Sequence, residues 1–241
     1  MNQIVPAMLG VRVVFYREQA AAMYSPSSYQ LAAFLVEVPW LSGILLVATS
    51  VGYFMFGLVP RAFGFHYLAV LVLAVVYISI GMAVASFVPT FEVAQAVLGL
   101  LGPLFFLFGG LWSPPPQMAD GARWFCWIDP ITYAFKALIP QQFYPGADGP
   151  GADRLLLQGP TPPCSSRVPP GVPCGGGTKA GGAVVLNGNI IFNVDRYDYV
   201  SQKYDVWFSE EWRNLGYLAI FIVVFQIFAL YGINRIRHIV R

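Results

Sequence analysis

Long runs without Asp, Glu, Lys or Arg dominate the chain, at residues 38–60, 62–91, 93–119 and 214–234. About 20 helical residues cover the roughly 30 Å hydrocarbon core of a bilayer. We therefore predict transmembrane helices near 29–58, 66–88, 91–112 and 213–233. Helices are favoured over strands because the chain lacks the repeated alternation, about ten residues long, of an outer-membrane barrel.

The first predicted span contains Glu37, two residues before Pro39. A charge inside a membrane costs a few kcal/mol, on the order of 3, so Glu37 is a functional candidate by default. The alternative is a carboxylate that lies near the interface or is locally paired. Pro39 should kink or locally break its helix.

Basic residues flank the spans unevenly. Arg12 and Arg17 precede the first span and three arginines follow the last, whereas the 59–65 loop holds Arg61 alone. Because short cytoplasmic flanks are enriched in Lys and Arg, both ends should be cytoplasmic, including the basic tail at 234–241. The region 113–212 should then be external.

The external region divides by composition. Residues 121–143 are aromatic and apolar, which predicts re-entrant or interfacial helices with Trp124, Trp127 and Tyr133 at headgroup depth. The alternative is an interfacial belt without a transport role. Residues 145–182 are a Pro/Gly-rich loop. In the segment 183–192, Asn187 and Gly188 separate β-branched runs, which predicts a β-hairpin.

Composition agrees with an all-α integral membrane protein. Hydrophobic residues make up 57% of the 241, charged residues 11%, and the mean hydropathy is +0.61. The net charge of +2 forms no stripe that could follow a phosphate backbone, so nucleic acid is set aside. The cysteines have neither the spacing nor the histidines of a metal site. Cys164 and Cys174 bracket a Pro- and Gly-rich stretch within the 145–182 loop, and they form either an external disulfide or two ordinary thiols.

The residues do not predict an enzyme. The phosphate-binding pattern G-x-x-x-x-G-K-[ST] does not occur, so the chain should not hydrolyse ATP by itself. His66 and His238 have no obvious nucleophile or carboxylate partner. Arg17 and Glu18 are neighbouring opposite charges on a short cytoplasmic segment, either a docking site for a soluble partner or a solvated surface pair.

Three blocks resemble one family. Residues 12–39, RVVFYREQAAAMYSPSSYQLAAFLVEVP, match its R-x-V-F-Y-R-E, M-Y-S and E-x-P signature. Trp124, Trp127, Pro130 and Tyr133 match an external re-entrant motif, and residues 212–236 resemble a final span. The chain resembles the C-terminal part of an ABC-2 type permease domain, of the pleiotropic drug resistance (PDR) type in the G subfamily of ABC transporters.

The resemblance implies roles for particular segments. Each permease half of that family has six spans, so residues 1–10 would be the remnant of the second span, and residues 11–28 the cytoplasmic segment that couples to the ATPase. Coupling would involve Arg17, Glu18 and Tyr24. Substrate would pass Phe105, Phe106 and Phe108; the alternative is that this aromatic run is lipid-facing or helix-packing surface. Leu111 and Trp112 would form the exit valve, although Trp112 departs from the commoner Leu.

The expected function is the permease part of an ATP-driven exporter of amphipathic or lipid-like small molecules, working by alternating access in the plasma membrane. ATP and Mg would bind to nucleotide-binding domains outside this chain, and a second permease half and the bilayer would be the other partners. One rival is a bacterial lipid or polysaccharide exporter, which generally lacks the re-entrant block. The other is a non-transporting structural or regulatory subunit, or a truncated paralogue that pairs with full-length transporters.

Overall fold

A computed structural model describes residues 4–111, 118, 120–143, 154–159, 184–186, 189–195 and 204–235. Several predicted features lie outside these residues: Trp112 of the exit valve, the Cys164 and Cys174 pair, the Asn187-Gly188 turn, and the basic tail beyond Arg235.

The first helix, α1 (Ile4–Ala20), is followed by α2 (Pro26–Met55). α1 runs without interruption through residues 10 and 11, where the sequence had suggested a boundary between a span remnant and a coupling segment. Pro6 lies in its first turn, where a missing N–H costs no helical hydrogen bond, and Gly10 lowers helix propensity by only about 1 kcal/mol. The remnant and the first half of the coupling segment therefore form one helix.

Four helical stretches are long and apolar enough to cross a membrane: Pro26–Met55, Pro60–Phe87, Phe91–Phe108 and Phe208–Arg235. The prediction of an all-helical membrane fold with four spans is confirmed. The second stretch is a 3-10 turn, Pro60–Ala62, followed by α3 (Phe63–Phe87), and the third is α4 (Phe91–Phe108). The last begins with a 3-10 turn, Phe208–Glu210, and continues as a long helix at Glu211–Arg235.

Local chemistry explains where the spans differ from the predicted bounds. The first span begins at residue 26 rather than 29 because Ser25 caps it: the Ser28 N–H donates to Ser25 Oγ at 3.3 Å, and Pro26 occupies the first turn. α4 ends at Phe108 rather than 112, where Gly109 and Gly110 follow. Gly110 has φ +87°, a left-handed conformation that glycine adopts without strain.

Short helices follow the third span: α5 (Asp120–Arg123), α6 (Phe125–Ile128) and α7 (Pro130–Phe143). The final helix, Glu211–Arg235, is here named α8. Between α7 and α8 are strands β1 (Arg154–Gly159), β2 (Val184–Leu186) and β3 (Asn189–Asp195).

The strands form one antiparallel sheet in the order β1-β3-β2. β2 and β3 are paired with Leu186 opposite Asn189, the register expected for a two-residue hairpin at 187–188. β1 lies within the segment predicted as a Pro/Gly-rich loop and pairs with β3, with Arg154 opposite Asp195. Its partner is distant in sequence, so local composition did not reveal it.

α3 is the centre of the bundle. Its apolar window is 56% buried, against 0% for α2, and α8 is its most extensive neighbour. The two helices are antiparallel, since Phe65 near the start of α3 contacts Trp212 near the start of α8, with ring centroids 5.2 Å apart. At the other end, Gly232 of α8 packs against Ser86 of α3.

The two ends of α3 have different neighbours. At its C-terminal end, Arg12 of α1 binds the last carbonyls. At its N-terminal end, Gln142 of α7 accepts a hydrogen bond from the Val59 N–H at 3.1 Å and donates to Tyr53 Oη at 3.0 Å. α1 and the α5–α7 region therefore lie at opposite ends of the bundle.

Candidate coupling site

A compact turn joins α1 to α2. Ala22 has φ +54°, and Phe15, which is buried, packs against Tyr29 with ring centroids 4.4 Å apart. Tyr24 lies beside the same pair, 6.1 Å from each ring. These aromatic contacts hold the end of α1 against the beginning of the first span.

Two of the predicted coupling residues interact directly. Tyr24 Oη donates to Glu18 Oε2 at 2.6 Å. This hydrogen bond raises the pKa of the Tyr24 phenol to about 12. Arg17 is exposed at the end of α1 and does not share that bond. The structure thus brings Glu18 and Tyr24 together and leaves Arg17 at the surface.

Arg12 attaches α1 to the turn between α3 and α4. Its guanidinium donates to the Val88 carbonyl oxygen at 2.9 Å, to the Pro89 carbonyl oxygen at 3.3 Å, and to the Ala85 carbonyl oxygen. The carbonyls that end a helix lack helical partners and carry partial negative charge, so a cation is favoured there. From the sequence, Arg12 indicated only which side of the membrane the N-terminal end occupies. Its hydrogen-bond partners could not be predicted, because they are more than 70 residues away.

Glu37 and Pro39 both lie on α2. Glu37 is half-buried beside an open cavity of about 570 Å³, together with Ile4, Trp40 and Tyr77. α2 continues through Pro39 as a single helical element rather than two. Trp40 is one of several large apolar side chains that α2 leaves exposed, with Leu35, Val36, Val47 and Val51.

The residues predicted for the substrate pathway do not share one face of α4. Phe105 is 6% exposed in the core, whereas Phe106 is 52% exposed. The Phe108 ring packs on Phe125 of α6, with centroids 4.7 Å apart, and Leu111 is exposed beyond the helix end. Phe106 and Leu111 are therefore accessible to a substrate, while Phe105 and Phe108 pack within the protein.

The re-entrant motif is built around α6 and α7. Tyr133 Oη donates to the Trp127 carbonyl oxygen at 2.9 Å, and its ring contacts Tyr217 of α8 at 5.3 Å. Pro130 is buried at the start of α7, whereas Trp124 and Trp127 are exposed. The motif thus fixes α7 against α8 and presents two indole rings at the surface.

Asp129 immediately precedes α7, and its role was not predicted from the sequence. It is 0% exposed, and its Oδ1 accepts from the Ile131 N–H at 2.9 Å, as an N-capping carboxylate does. Its Oδ2 has no hydrogen-bond partner among the residues that the structure describes. Burial raises the pKa of this carboxyl to about 7, against the opposing effect of the Ile131 hydrogen bond. The Asp-Pro pair before an apolar helical stretch is the sequence feature that could have indicated this N-cap.

A polar cluster inside the bundle was also missed. Gln30 of α2 donates to Gln226 Oε1 of α8 at 3.2 Å, and Gln226 donates to Ser79 Oγ of α3 at 3.2 Å. Gln30 is nearly fully buried. Interhelical hydrogen bonds of this kind contribute about 0.6 kcal/mol on average in a membrane. They link α2 to the α3 and α8 pair.

Comparison with known proteins identifies the family. The profile of ABC-2 type transporter membrane domains matches residues 1–143. ABC transporter G family member 36 of Oryza sativa subsp. indica is 30% identical over 147 residues, which are 59% of this chain and 10% of that protein. ABC transporter G family member 2 of Dictyostelium discoideum is 32% identical over 143 residues, 58% of this chain and 11% of the relative.

A third relative, ABC transporter G family member 34 of Arabidopsis thaliana, is 31% identical over 140 residues, 57% of this chain and 10% of its own length. The chain spans about a tenth of the length of the curated relatives it matches. The matched profile covers more than half of the 241 residues, including α1, three of the four spans and α7. The chain belongs to the ABC-2 type transporter family, with G family ABC transporters among its relatives.

Proposed function

We propose that the chain is the C-terminal part of the permease domain of a PDR-type G-subfamily exporter in the plasma membrane. It moves amphipathic or lipid-like molecules outward by alternating access. The driving force comes from nucleotide-binding domains outside this chain, which hold ATP and Mg. The family and its G-type relatives support the permease assignment.

The observation that carries the proposal is the attachment of α1 to two spans at once. Arg12 holds it to the end of α3, and the Glu18–Tyr24 bond with the Phe15–Tyr29 contact holds it to the start of α2. A soluble domain that moved the end of α1 would therefore move both spans together. Residues 11–28, with Arg17 exposed, act as the coupling segment in this proposal.

The apolar surface of α2 supports the substrate class. Its exposed side chains face outward from the bundle. The 570 Å³ cavity beside Glu37 and Trp40 lies next to them, between α2, α1 and α3. A second permease half that covered this surface would enclose a largely apolar and aromatic space. Such spaces bind amphipathic molecules chiefly by their apolar surface, with few polar groups for orientation. Phe106 and Leu111 add exposed apolar side chains on α4 and just beyond its end, toward the predicted exit.

The coupling role is tested with the full-length transporter that contains this chain, reconstituted in liposomes with a fluorescent amphipathic dye. Glu18→Ala removes the acceptor, and Tyr24→Phe removes only the donor hydroxyl. Because either substitution breaks the bond that holds the end of α1 to the start of α2, we expect each variant to lower dye transport per ATP hydrolysed severalfold. Tyr231→Phe, at an exposed tyrosine of α8, is the matched control and should transport normally.

Two results would contradict the proposal. Unaltered transport per ATP in both Glu18→Ala and Tyr24→Phe would remove these residues from coupling. Absence of ATP-dependent dye movement in the wild-type protein, with its ATPase active, would instead favour a structural or regulatory subunit that does not transport.

A further inference from the structure

Glu37 lies deep within the first span, beside the cavity of about 570 Å³ between α1, α2 and α3. It is the twelfth residue of α2 (Pro26–Met55), which places it about 17 Å along a helix about 45 Å long. The hydrocarbon core of a bilayer is about 30 Å thick, so a centred helix of this length extends about 7 Å beyond the core at each end. Glu37 therefore lies inside the hydrocarbon core, where ionisable residues are rare and mark binding sites or ion pathways.

Two helix faces form most of the cavity wall. On α2, the lining residues recur at intervals of three or four positions from Glu37 through Trp40 to Ile44, so they share one face. Tyr77 of α3 and Ile4 of α1 contribute the remaining sides. Every lining residue that the structure describes is apolar or aromatic, except Glu37. The volume is within the range of small-molecule sites, about 300–1,000 Å³.

Glu37 has no counter-charge among the residues that the structure describes. Its carboxylate takes part in neither a hydrogen bond nor an ion pair with any of them. Of the two arginines on α1, Arg12 is bound to carbonyl oxygens at the end of α3, and Arg17 is exposed near the end of α1. The counter-charge is therefore left for a ligand to supply, and that ligand must be a cation.

The walls of the cavity decide which kind of cation fits. Metal ions such as Ca²⁺ take about six or more oxygen ligands. Among the described lining residues, only Glu37 and Tyr77 have side-chain oxygens, and the described residues form no cluster of three acidic, histidine or cysteine side chains that could hold a metal ion. An indole ring attracts organic cations, and the ring of Trp40 is largely uncovered, at 71% exposed. A carboxylate among apolar and aromatic side chains therefore favours an organic cation over a metal ion.

We propose that this cavity binds a lipophilic organic cation, with the positive charge beside the Glu37 carboxylate and the Trp40 ring. The hydrocarbon groups of the ligand lie along the apolar side chains of α2 and α3. An anion of the same size and shape is repelled, because the charge of Glu37 is poorly screened at this depth. The inference rests on the proposed function and deepens it, since it gives the amphipathic substrate a positive charge.

Binding is tested by equilibrium dialysis of the full-length transporter that contains this chain, in phosphatidylcholine nanodiscs without nucleotide. Tetraphenylphosphonium and tetraphenylborate, titrated separately against an empty-nanodisc background, are the probes, because they share a shape and carry opposite charges. Glu37→Gln removes the charge and keeps the side-chain shape, so it should weaken phosphonium binding about tenfold and leave borate binding no weaker. Trp40→Leu should weaken phosphonium binding severalfold, through loss of the ring.

Glu92→Gln is the matched control, because Glu92 is an exposed glutamate in the first turn of α4. It should bind phosphonium as the wild type does. Equal affinity of the wild type and Glu37→Gln for phosphonium would overturn the proposal. An equal loss of both probes in Glu37→Gln would also overturn it, because that result assigns Glu37 to the fold rather than to charge recognition.

Export from proteoliposomes separates this inference from the proposed function. Glu37→Gln should raise the KM for tetraphenylphosphonium about tenfold and leave the KM for a neutral fluorescent amphipathic dye unchanged. A wild-type protein that exports the neutral dye but neither binds nor exports phosphonium would refute the cation site alone. A wild-type protein that binds phosphonium through Glu37 and exports neither compound would refute the transport function and the substrate role, while the binding site would stand.

Discussion

Arg12 and Glu18 show how single side chains define the end of the bundle at which α1 is attached. Arg12 places a cation on the unpaired carbonyls of α3, and Glu18 closes the turn to α2 through Tyr24. The sequence motif indicated Glu18 and Tyr24, and they are bonded to each other. The motif indicated nothing about Arg12 beyond its charge. Tertiary packing decides which carbonyl oxygens the Arg12 guanidinium reaches. Local chemistry was predictable, and long-range partners were not.

At the same scale, Asp129 predicts a pH dependence of stability. Its pKa is raised to about 7 in the folded protein, so the folded state holds the proton more tightly than the unfolded state. Its favourable contribution is complete below the ordinary carboxyl pKa of about 4 and is lost as the pH rises through about 7. The asparagine in Asp129→Asn keeps an Oδ1 acceptor for the Ile131 N–H and does not titrate.

We therefore expect Asp129→Asn to gain stability relative to the wild type by about 2–3 kcal/mol between about pH 5 and about pH 8, since one pKa unit corresponds to about 1.4 kcal/mol. Thermal unfolding in detergent micelles at the two pH values measures the difference. A stability gap that stays constant with pH would show that the buried carboxyl does not titrate in this range.

At the scale of helices, the α3–α8 contact depends on a missing side chain. A Cβ at Gly232 would lie 2.3 Å from Ser86 Oγ and 2.8 Å from Ser86 Cβ, so the two helices could not keep their present separation. Small residues allow this close approach in membranes, where packing rather than hydrophobic burial drives association. The apolar run that contains Gly232 is visible in the sequence, but the helix that it contacts is set by tertiary packing.

Gly232→Ala should therefore destabilise the bundle, because overpacking of this kind typically costs about 1–3 kcal/mol. Gly216→Ala on the same helix is the control: a Cβ there meets nothing within 4 Å. It should be neutral or stabilising by up to about 1 kcal/mol, the difference in helix propensity. Unfolding temperatures in detergent compare the two variants, and equal values would mean that α3 and α8 separate without cost.

At the scale of the whole molecule, the number and type of the spans followed from the charge-free runs, because hydrocarbon thickness dictates helix length. What could not be predicted is how the helices assemble. The central position of α3, the exposure of α2 and the separation of the two functional ends depend on contacts between distant residues. The proposed pathway illustrates this, since Phe105 and Phe106 are neighbours in sequence but occupy the core and the surface.

α1 is expected to lie on the side of the membrane that faces the ATPase, and the α5–α7 region is expected to lie on the opposite side. Ala21→Cys, in the exposed turn after α1, and Ile128→Cys, at an exposed residue of α6, test this placement in full-length protein whose native cysteines, Cys126, Cys164 and Cys174 among them, are replaced by alanine. We expect a membrane-impermeant thiol reagent to label position 128 in intact cells, and position 21 only after permeabilisation. Labelling of both positions from the same side would contradict the account.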